Sequence, residues 1–172
     1  MMIFVRHAMP VIDPDADPAT WPLSADGQAA ARALGPRLPA DAVLVSSDEP
    51  KAYATLSLAT GRNVTIDARL REVARPRERV SEDFAQARRA YVAGSPPPGW
   101  ERPAAVARRI AAVIGAHRVP GRPLVLAGHG MAFTTWLAAG LLVADPVRFW
   151  SDLRLPDAFE VLATGVRRLD AA

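Results

Sequence analysis

Two short runs, rich in β-branched and large apolar residues, carry no polar side chain. They are MIFV (2–5) and PLVLAG (123–128), and AVLVSS (42–47) is nearly as apolar. A strand without a polar face has to be buried on both sides, as are the interior strands of parallel sheets. Helical patterns separate these runs, so the sequence predicts a three-layer α/β/α sandwich with a mainly parallel central sheet.

Capping residues and spacing predict the remaining elements. Weaker strands are expected at 63–67 and at 158–165, the latter near a sheet edge. Helices are predicted at 23–38, from Ser47 or Asp48 to about Leu58, and at 81–94, 102–118 and 131–142. Ser24 caps the first helix, which should kink or end at Gly35-Pro36. No repeat or linker divides the chain, so residues 1–172 are expected to form a single domain.

Polar residues follow the predicted strands where α/β folds bind ligands, beyond the carboxyl ends of the strands. Arg6 and His7 leave the first strand, and His129 leaves the strand PLVLAG. Lys51 follows the second strand, and Glu72 follows the third. Two histidines, two cations and a carboxylate are therefore expected to meet at one edge of the sheet.

Five short motifs stand in order along the chain. They are VRHA (5–8), LSADGQAA (23–30), SSDEPKAYAT (46–55), LRE (70–72) and LVLAGHGMAF (124–133). With these motifs the sequence resembles the histidine phosphatase superfamily, the phosphoglycerate mutase-like proteins. That family has Arg-His-Gly, Leu-Ser/Thr-x-x-Gly-x-x-Ala, Ser-Ser followed by Arg-Ala and Thr, Leu-x-Glu, and a strand ending in His-Gly. Each motif is weak alone, but the ordered set covers nearly the whole chain.

The resemblance implies a phosphoglycerate mutase-like fold and a phosphoric monoester hydrolase that needs no metal and no cofactor. The implied residues are catalytic His7, Glu72, Arg6 and His129, and phosphate-binding Arg6, Lys51, His129 and Gly130. The first histidine would take the phosphoryl group, and nearby cations would keep its ring unprotonated. A protonated carboxyl would supply the leaving alkoxide with a proton and then activate water.

Two positions depart from the family pattern. Ala8 replaces the usual glycine, which is harmless if the backbone there has negative φ. Lys51 stands where the family has its second phosphate-binding arginine, and it is the only lysine among the 21 Lys and Arg residues. We interpret it as a cation retained for phosphate, with the geometry of a point charge instead of a fork; the alternative is drift on a helix surface.

Several residues leave a choice open. The carboxylates that compete with Glu72 for the acid role are Asp48, Glu49 and Glu78. Glu101 aligns loosely with the pocket mouth, but a plain charge at a helix N-terminus is favoured. Trp100 is expected to pack rather than line the mouth, and His117, at a predicted helix C-terminus, is expected to have a structural or surface role. The arginine-rich run at 68–80 is either a solvated loop or a basic rim for an anionic substrate.

A zinc site formed by His7, His129 and a carboxylate is disfavoured, because the two flanking cations would repel the metal. The pI of about 10.1 reflects the arginines at a net charge of only +3, so no nucleic-acid partner is expected. The absence of cysteine excludes disulfides. No signal peptide and no membrane-spanning run is recognised, so a cytoplasmic protein is expected.

The expected activity is hydrolysis of a small phosphomonoester. Two alternatives stay open: a phosphoprotein (phosphohistidine) phosphatase, and a non-catalytic phosphate-binding member of the family. An intact Glu72 counts against the first, because a phosphoramidate leaving group needs less help from an acid. A mutase is disfavoured because the chain leaves little for an enclosing cap. The sequence specifies neither the substrate, which the loops at 8–22 and 73–102 should select, nor the oligomeric state.

Overall fold

The computed structural model describes residues 1–76 and 82–170, and it is built around a six-stranded sheet. The strands are β1 (Met2–Arg6), β2 (Val43–Ser46), β3 (Thr65–Ile66), β4 (Leu124–Gly128), β5 (Asp157–Leu162) and β6 (Gly165–Arg168). Their order across the sheet is β3-β2-β4-β1-β5-β6. The first four of these run parallel, and β5 and β6 are antiparallel additions beyond β1. The predicted α/β class with a mainly parallel sheet is confirmed.

Six helices accompany the sheet in the described part of the chain: α1 (Ala25–Leu34), α2 (Pro50–Thr60), α3 (Glu82–Val92), α4 (Pro103–His117), α5 (Gly130–Ala139) and α6 (Pro146–Ser151). Side chains that alternate along β1 and β4 enter two separate cores, because strand neighbours point to opposite faces. Phe4 and Leu126 pack on the side of α4 and α5. Ile3 and Val125 pack on the side of α1 and α2. These two cores give the predicted three layers.

The ends of the first two helices follow the predicted signals. The Ser24 hydroxyl accepts a hydrogen bond of 3.0 Å from the Gly27 N–H, and α1 ends at Gly35-Pro36, which continue as a short 3-10 turn. Helix α2 begins at Pro50, later than predicted, because proline is suited to the first helical position. It ends two residues later than predicted, before the left-handed Gly61.

The C-terminal region differs from the prediction. The single strand expected at 158–165 is two strands, because the chain reverses at residues 163–164 and forms a β5–β6 hairpin. The inner strand β5 lies beside β1, so β6 forms the sheet edge. Helix α6 was not predicted at all, since its six residues are too few to show helical periodicity. The predicted start of a helix at Ser81 lies outside the described residues.

No helix in the segments that the structure describes is both long and apolar enough to cross a lipid bilayer.

Candidate active site

The pairing of β1 with β4 brings the two predicted histidines together. Arg6 is in register with Gly128, and the His7 N–H donates to the Gly128 carbonyl at 3.0 Å. His129 follows at once and is the N-cap residue of α5. The centres of the two imidazole rings lie 5.2 Å apart. The convergence expected at the carboxyl edge of the sheet is therefore present.

The tautomer of His7 is set by its own backbone. Its Nδ1 lies 2.8 Å from the carbonyl oxygen of Ala8, and a carbonyl can only accept, so Nδ1 carries the proton. The neutral ring then has an unprotonated Nε2. The pKa of His7 lies well below its ordinary value, first because the ring is buried and then because His129, Lys51 and Arg6 oppose a further positive charge. Burial thus outweighs the cations that the sequence interpretation invoked.

The extra methyl of Ala8 is accommodated. Leu141 is the one non-glycine residue with positive φ in the described segments, so Ala8 has the negative φ that an alanine requires. Ala8 is fully buried, and its N–H donates to the Thr55 hydroxyl at 2.9 Å. That hydroxyl donates in turn to the carbonyl of Lys51 at 2.7 Å, so Thr55 ties the His7 segment to α2.

The Arg6 guanidinium is hydrogen-bonded to the backbone through Nη1, while its Nε faces the space beside Gly130. Its Nη1 donates to the backbone carbonyls of Leu153 and Arg154 at 2.9 and 3.3 Å. Its Nε is buried and makes no hydrogen bond with any described residue. A Cβ at Gly130 would lie 3.2 Å from this Nε, so glycine keeps the space beside it open. Burial lowers the pKa of Arg6, and Glu72 and then Asp157 oppose that shift.

The ammonium of Lys51 is buried in the site and already has two partners. Its Nζ donates to the Pro18 carbonyl at 2.6 Å and to Oε2 of Glu49 at 2.5 Å. An ammonium has three protons, so one remains for a ligand. The predicted position of Lys51 at the site is therefore observed, whereas drift on a helix surface does not describe a residue that is 6% exposed.

The Glu72 carboxylate accepts three backbone hydrogen bonds, which favour its ionised form. Its Oε1 accepts hydrogen bonds from the N–H groups of Val73 and Ala132 at 3.0 and 2.9 Å, and Oε2 accepts one from Met131 at 3.3 Å. Glu72 thus caps the N-terminus of α5. His129 is the N-cap residue, but its side chain makes no capping hydrogen bond. Burial alone would raise the pKa of Glu72, but His129, Arg75 and the Val73 N–H are among the groups that lower it to about 2. The protonated acid expected from the sequence therefore requires an anion beside it.

His129 is almost completely buried between two other segments of the site. Its Nε2 lies 3.2 Å from the Ser47 hydroxyl and 3.2 Å from Oε1 of Glu49. The pKa of His129 is lowered to about 3, chiefly by burial, and Lys51 adds to this shift while Glu72 opposes it. The ring is therefore neutral at neutral pH and offers one N–H.

A cavity of about 580 Å³ joins these side chains, and all six predicted residues line it. Those six are Arg6, His7, Lys51, Glu72, His129 and Gly130. Further charged residues of the described segments line the same cavity and were not predicted as members of the site: Asp17, Glu49, Arg71, Arg75, Arg88, Glu101 and Arg109. Cations outnumber carboxylates in this wall, which suits an anionic ligand.

Comparison with known proteins agrees with this arrangement. A sequence profile described as Histidine phosphatase superfamily (branch 1) matches residues 2–161. The chain belongs to the histidine phosphatase superfamily. No curated protein matches it with significance.

Solved structures share the fold of this histidine phosphatase. Native mycobacterial glucosyl-3-phosphoglycerate phosphatase is 26% identical, with a TM-score of 0.68 over 99% of both chains. Its complex with inorganic phosphate is also 26% identical, with a TM-score of 0.65 over 99% of this chain and 95% of that one. Phosphoglycerate mutase from Thermus thermophilus, at 24% identity and a TM-score of 0.74 over 99% of both chains, supports the fold alone. The predicted resemblance and fold are confirmed, and the family supports the predicted class, phosphoric monoester hydrolase.

The remaining sequence interpretations have mixed outcomes. Trp100 packs against Tyr91 and does not line the cavity, and His117 pairs with Asp67 outside it, both as predicted. Glu101 was interpreted as a helix charge, and this was wrong: its carboxylate lines the cavity and holds Arg109 at 2.9 Å. Asp48 is engaged by Arg71. Glu49 lines the cavity and pairs with Lys51, and Glu78, the third rival acid, lies outside the described residues.

The cationic wall of this histidine phosphatase depends on contacts that no local pattern reveals. Arg109 of α4 donates to the carbonyls of Arg69 and Arg71 at 2.5 and 2.8 Å, and these acceptors lie 40 and 38 residues earlier in the chain. Arg75 belongs to the basic run and lies over the Trp100 ring at 5.5 Å.

Within the described segments, no group of three or more His, Asp or Glu side chains could hold a metal ion.

Proposed function

We propose that this protein is a metal-independent phosphatase that hydrolyses a small phosphomonoester through a phosphohistidine on His7. The observation that carries the proposal is the hydrogen bond of 2.8 Å from Nδ1 of His7 to the Ala8 carbonyl. It leaves Nε2 as the nucleophilic atom of a neutral ring in a cationic cavity. We also propose that residues 1–172 form one domain.

The phosphoryl group would be bound by donors that have capacity left. Arg6 offers its Nε edge and Lys51 one ammonium proton. His129 would donate from its other ring nitrogen when the bound anion favours the protonated ring, because its Nε2 faces Ser47 and Glu49. The Gly130 N–H lies in the first turn of α5, where amides have no partner within the helix and favour an anion. Such fixed donors stabilise the charge that a phosphoryl transition state spreads over its oxygens.

The proposed reaction has two steps, phosphoryl transfer to His7 and hydrolysis of the phosphohistidine. Nε2 of His7 forms a bond to phosphorus, the ester P–O bond breaks, and the leaving oxygen takes a proton from Glu72. Water then attacks the phosphorus, the bond between phosphorus and Nε2 of His7 breaks, Glu72 accepts a proton from that water, and inorganic phosphate is released. Because the pKa of Glu72 is about 2 here, the proton would be held only when a bound phosphoryl anion raises that pKa.

Two observations favour a small-molecule substrate. The site lies in a cavity rather than on a flat surface. The mycobacterial glucosyl-3-phosphoglycerate phosphatase, which has the same fold, has been solved with inorganic phosphate and with VO3. Phosphoprotein substrates and non-catalytic phosphate binding remain the alternatives, and no contact in the described residues favours either.

Turnover in a strong chelator tests the proposal. We expect the protein to release phosphate from members of a panel of phosphorylated metabolites at the same rate with and without chelator, because Arg6, Lys51 and His129 supply the phosphate-binding donors themselves. The measurement is inorganic phosphate release. Activity lost in chelator and restored by zinc or manganese would contradict the metal-independent mechanism, and no release from any ester would contradict the phosphatase itself.

Glu72→Gln should slow the hydrolysis of alkyl phosphates far more than that of aryl phosphates. An alkoxide leaving group needs a proton from the acid, so the rate on an alkyl phosphate should fall on the order of 10²-fold or more. A phenolate leaves with little help, so the rate on an aryl phosphate should fall much less. The wild-type rate on an alkyl ester should fall as pH rises through the pKa that Glu72 has beside the bound phosphoryl anion, because the acid then loses its proton. Rates are measured for both esters from acidic to alkaline pH.

The aryl ester controls for the second role of Glu72 as the cap of α5, because a damaged helix start would slow both esters alike. Equal losses on the two esters would therefore remove Glu72 from the role of the acid that protonates the leaving group.

A further inference from the structure

Glu49 is a buried carboxylate in the cavity wall to which the family resemblance gives no role. It occupies the N-cap position of α2, yet its side chain makes no capping hydrogen bond. The residue is only 6% exposed and faces the cavity. Burying a carboxylate is costly unless its oxygens are hydrogen-bonded, so its partners indicate what it is for.

Those partners are three predicted site residues from three separate segments. Oε2 of Glu49 accepts a hydrogen bond from the Lys51 ammonium at 2.5 Å. Oε1 receives the backbone N–H of Glu72 at 2.9 Å and lies 3.2 Å from Nε2 of His129. One carboxylate thus connects α2, the segment after β3 and the start of α5.

We propose that Glu49 is a positioning residue of the phosphate site, which fixes the Lys51 ammonium and the His129 ring relative to each other and to the segment that carries Glu72. The inference rests on the proposed function. A lysine ends in a point charge on a flexible stem, whereas a guanidinium fork is rigid. An ammonium serves a phosphoryl transition state only if it is held in place, and Glu49 and the Pro18 carbonyl hold it.

The carboxylate also changes the charge of the site. The charged or titratable groups that face it are Lys51, Glu72, His129 and Arg71. Ionised Glu49 offsets one of the cations that attract phosphate. Removing its charge should therefore strengthen the binding of phosphate in the ground state while it releases Lys51 and His129. Binding and catalysis should move in opposite directions, which a merely structural role would not produce.

Glu49→Gln tests the proposal with two measurements on the full-length protein. We expect kcat for p-nitrophenyl phosphate to fall about ten- to a hundredfold, the effect of a misplaced group. We expect the Kd of inorganic phosphate, measured by calorimetry, to stay the same or decrease. Unchanged kcat would overturn the proposal. A weaker affinity for phosphate together with a lower kcat would also overturn it, because the site would simply be damaged.

Glu160→Gln is the matched control. Glu160 is a buried carboxylate on β5 that pairs with Arg167 and does not line the cavity. This control should keep wild-type kcat and Kd. A double-mutant cycle supplies the sharper test: in a Lys51→Ala background, Glu49→Gln should no longer lower kcat, because Glu49 acts largely through Lys51 and its unpaired charge is itself unfavourable beside the bound anion. Full additivity of the two substitutions would overturn the proposal.

Glu49→Asp keeps the charge and withdraws it by one methylene, so its kcat should lie between those of the wild type and Glu49→Gln. If Glu49→Gln does not fold, Glu49→Asp decides alone, and a wild-type kcat overturns the proposal. A wild-type protein that neither hydrolyses the aryl ester nor binds phosphate would overturn the proposed function itself. A competent wild type with an equally competent Glu49→Gln would overturn only the positioning role.

Discussion

His7→Ala is expected to reduce turnover by on the order of 10⁶-fold, the scale at which removal of a catalytic nucleophile is felt. The reason is chemical, since an alanine leaves no atom to accept the phosphoryl group. The fold should survive, because His7 lies just beyond β1 and does not belong to its core. The measurement is phosphate release under single-turnover and steady-state conditions.

Trapping the intermediate completes this test. Wild-type protein quenched during turnover of a labelled ester should carry an acid-labile, base-stable label, and His7→Ala should carry none. His117→Ala is the matched control, because His117 pairs with Asp67 away from the cavity and its loss should leave labelling and rate intact. A near-normal rate for His7→Ala would refute the phosphohistidine mechanism.

Lys51→Ala is expected to lower kcat/KM by roughly thirtyfold to a thousandfold, about 2–4 kcal/mol, the range seen when one preorganised donor is deleted. The upper part of this range is expected, because the substitution also leaves the Glu49 carboxylate without its ammonium partner beside the bound anion. Steady-state kinetics on an aryl phosphate measure the effect. Unchanged kcat and KM would exclude Lys51 from the phosphate site.

Lys51→Arg separates a pocket adapted to lysine from one that has merely drifted. The ammonium is closely confined, with the Pro18 carbonyl at 2.6 Å and Glu49 at 2.5 Å. A guanidinium is longer and planar, so we expect it to displace one of these groups and to lower activity in spite of its conserved charge. Activity that holds or rises would show that the site still accepts the family's arginine.

The central sheet could be predicted from local apolar runs, and the six residues around the cavity from their places after those strands together with the resemblance to the family. The apolar runs of β1 and β4 identify buried parallel strands, and whatever follows such strands lies at one edge. Arg6, His7 and His129 are therefore brought together by topology alone. Lys51 was predicted to bind phosphate because it is the only lysine of the chain and follows a strand, and it is buried in the cavity wall.

The rest depends on contacts between segments distant in the chain. Glu49 was recognised as one of several rival acids, but its contacts with Glu72 and His129 span 23 and 80 residues. The lowered pKa of Glu72 has a similar origin, because the His129 ring and two of the amides around its carboxylate lie about 60 residues later. No periodicity or spacing rule encodes such pairs. Helix α6 and the final hairpin were missed because short elements carry too little pattern.

The position of β1 and β4 in the middle of the sheet has a consequence for how the protein loses activity. Both strands are flanked by hydrogen-bonded neighbours and have nearly inaccessible side chains, so their amides belong to the part of the chain that opens only with global unfolding. His7 and His129 directly follow these two strands, so we expect local fluctuations to leave them together. We therefore expect thermal inactivation and loss of the fold to occur as one cooperative event, with activity and the circular dichroism signal lost at the same temperature.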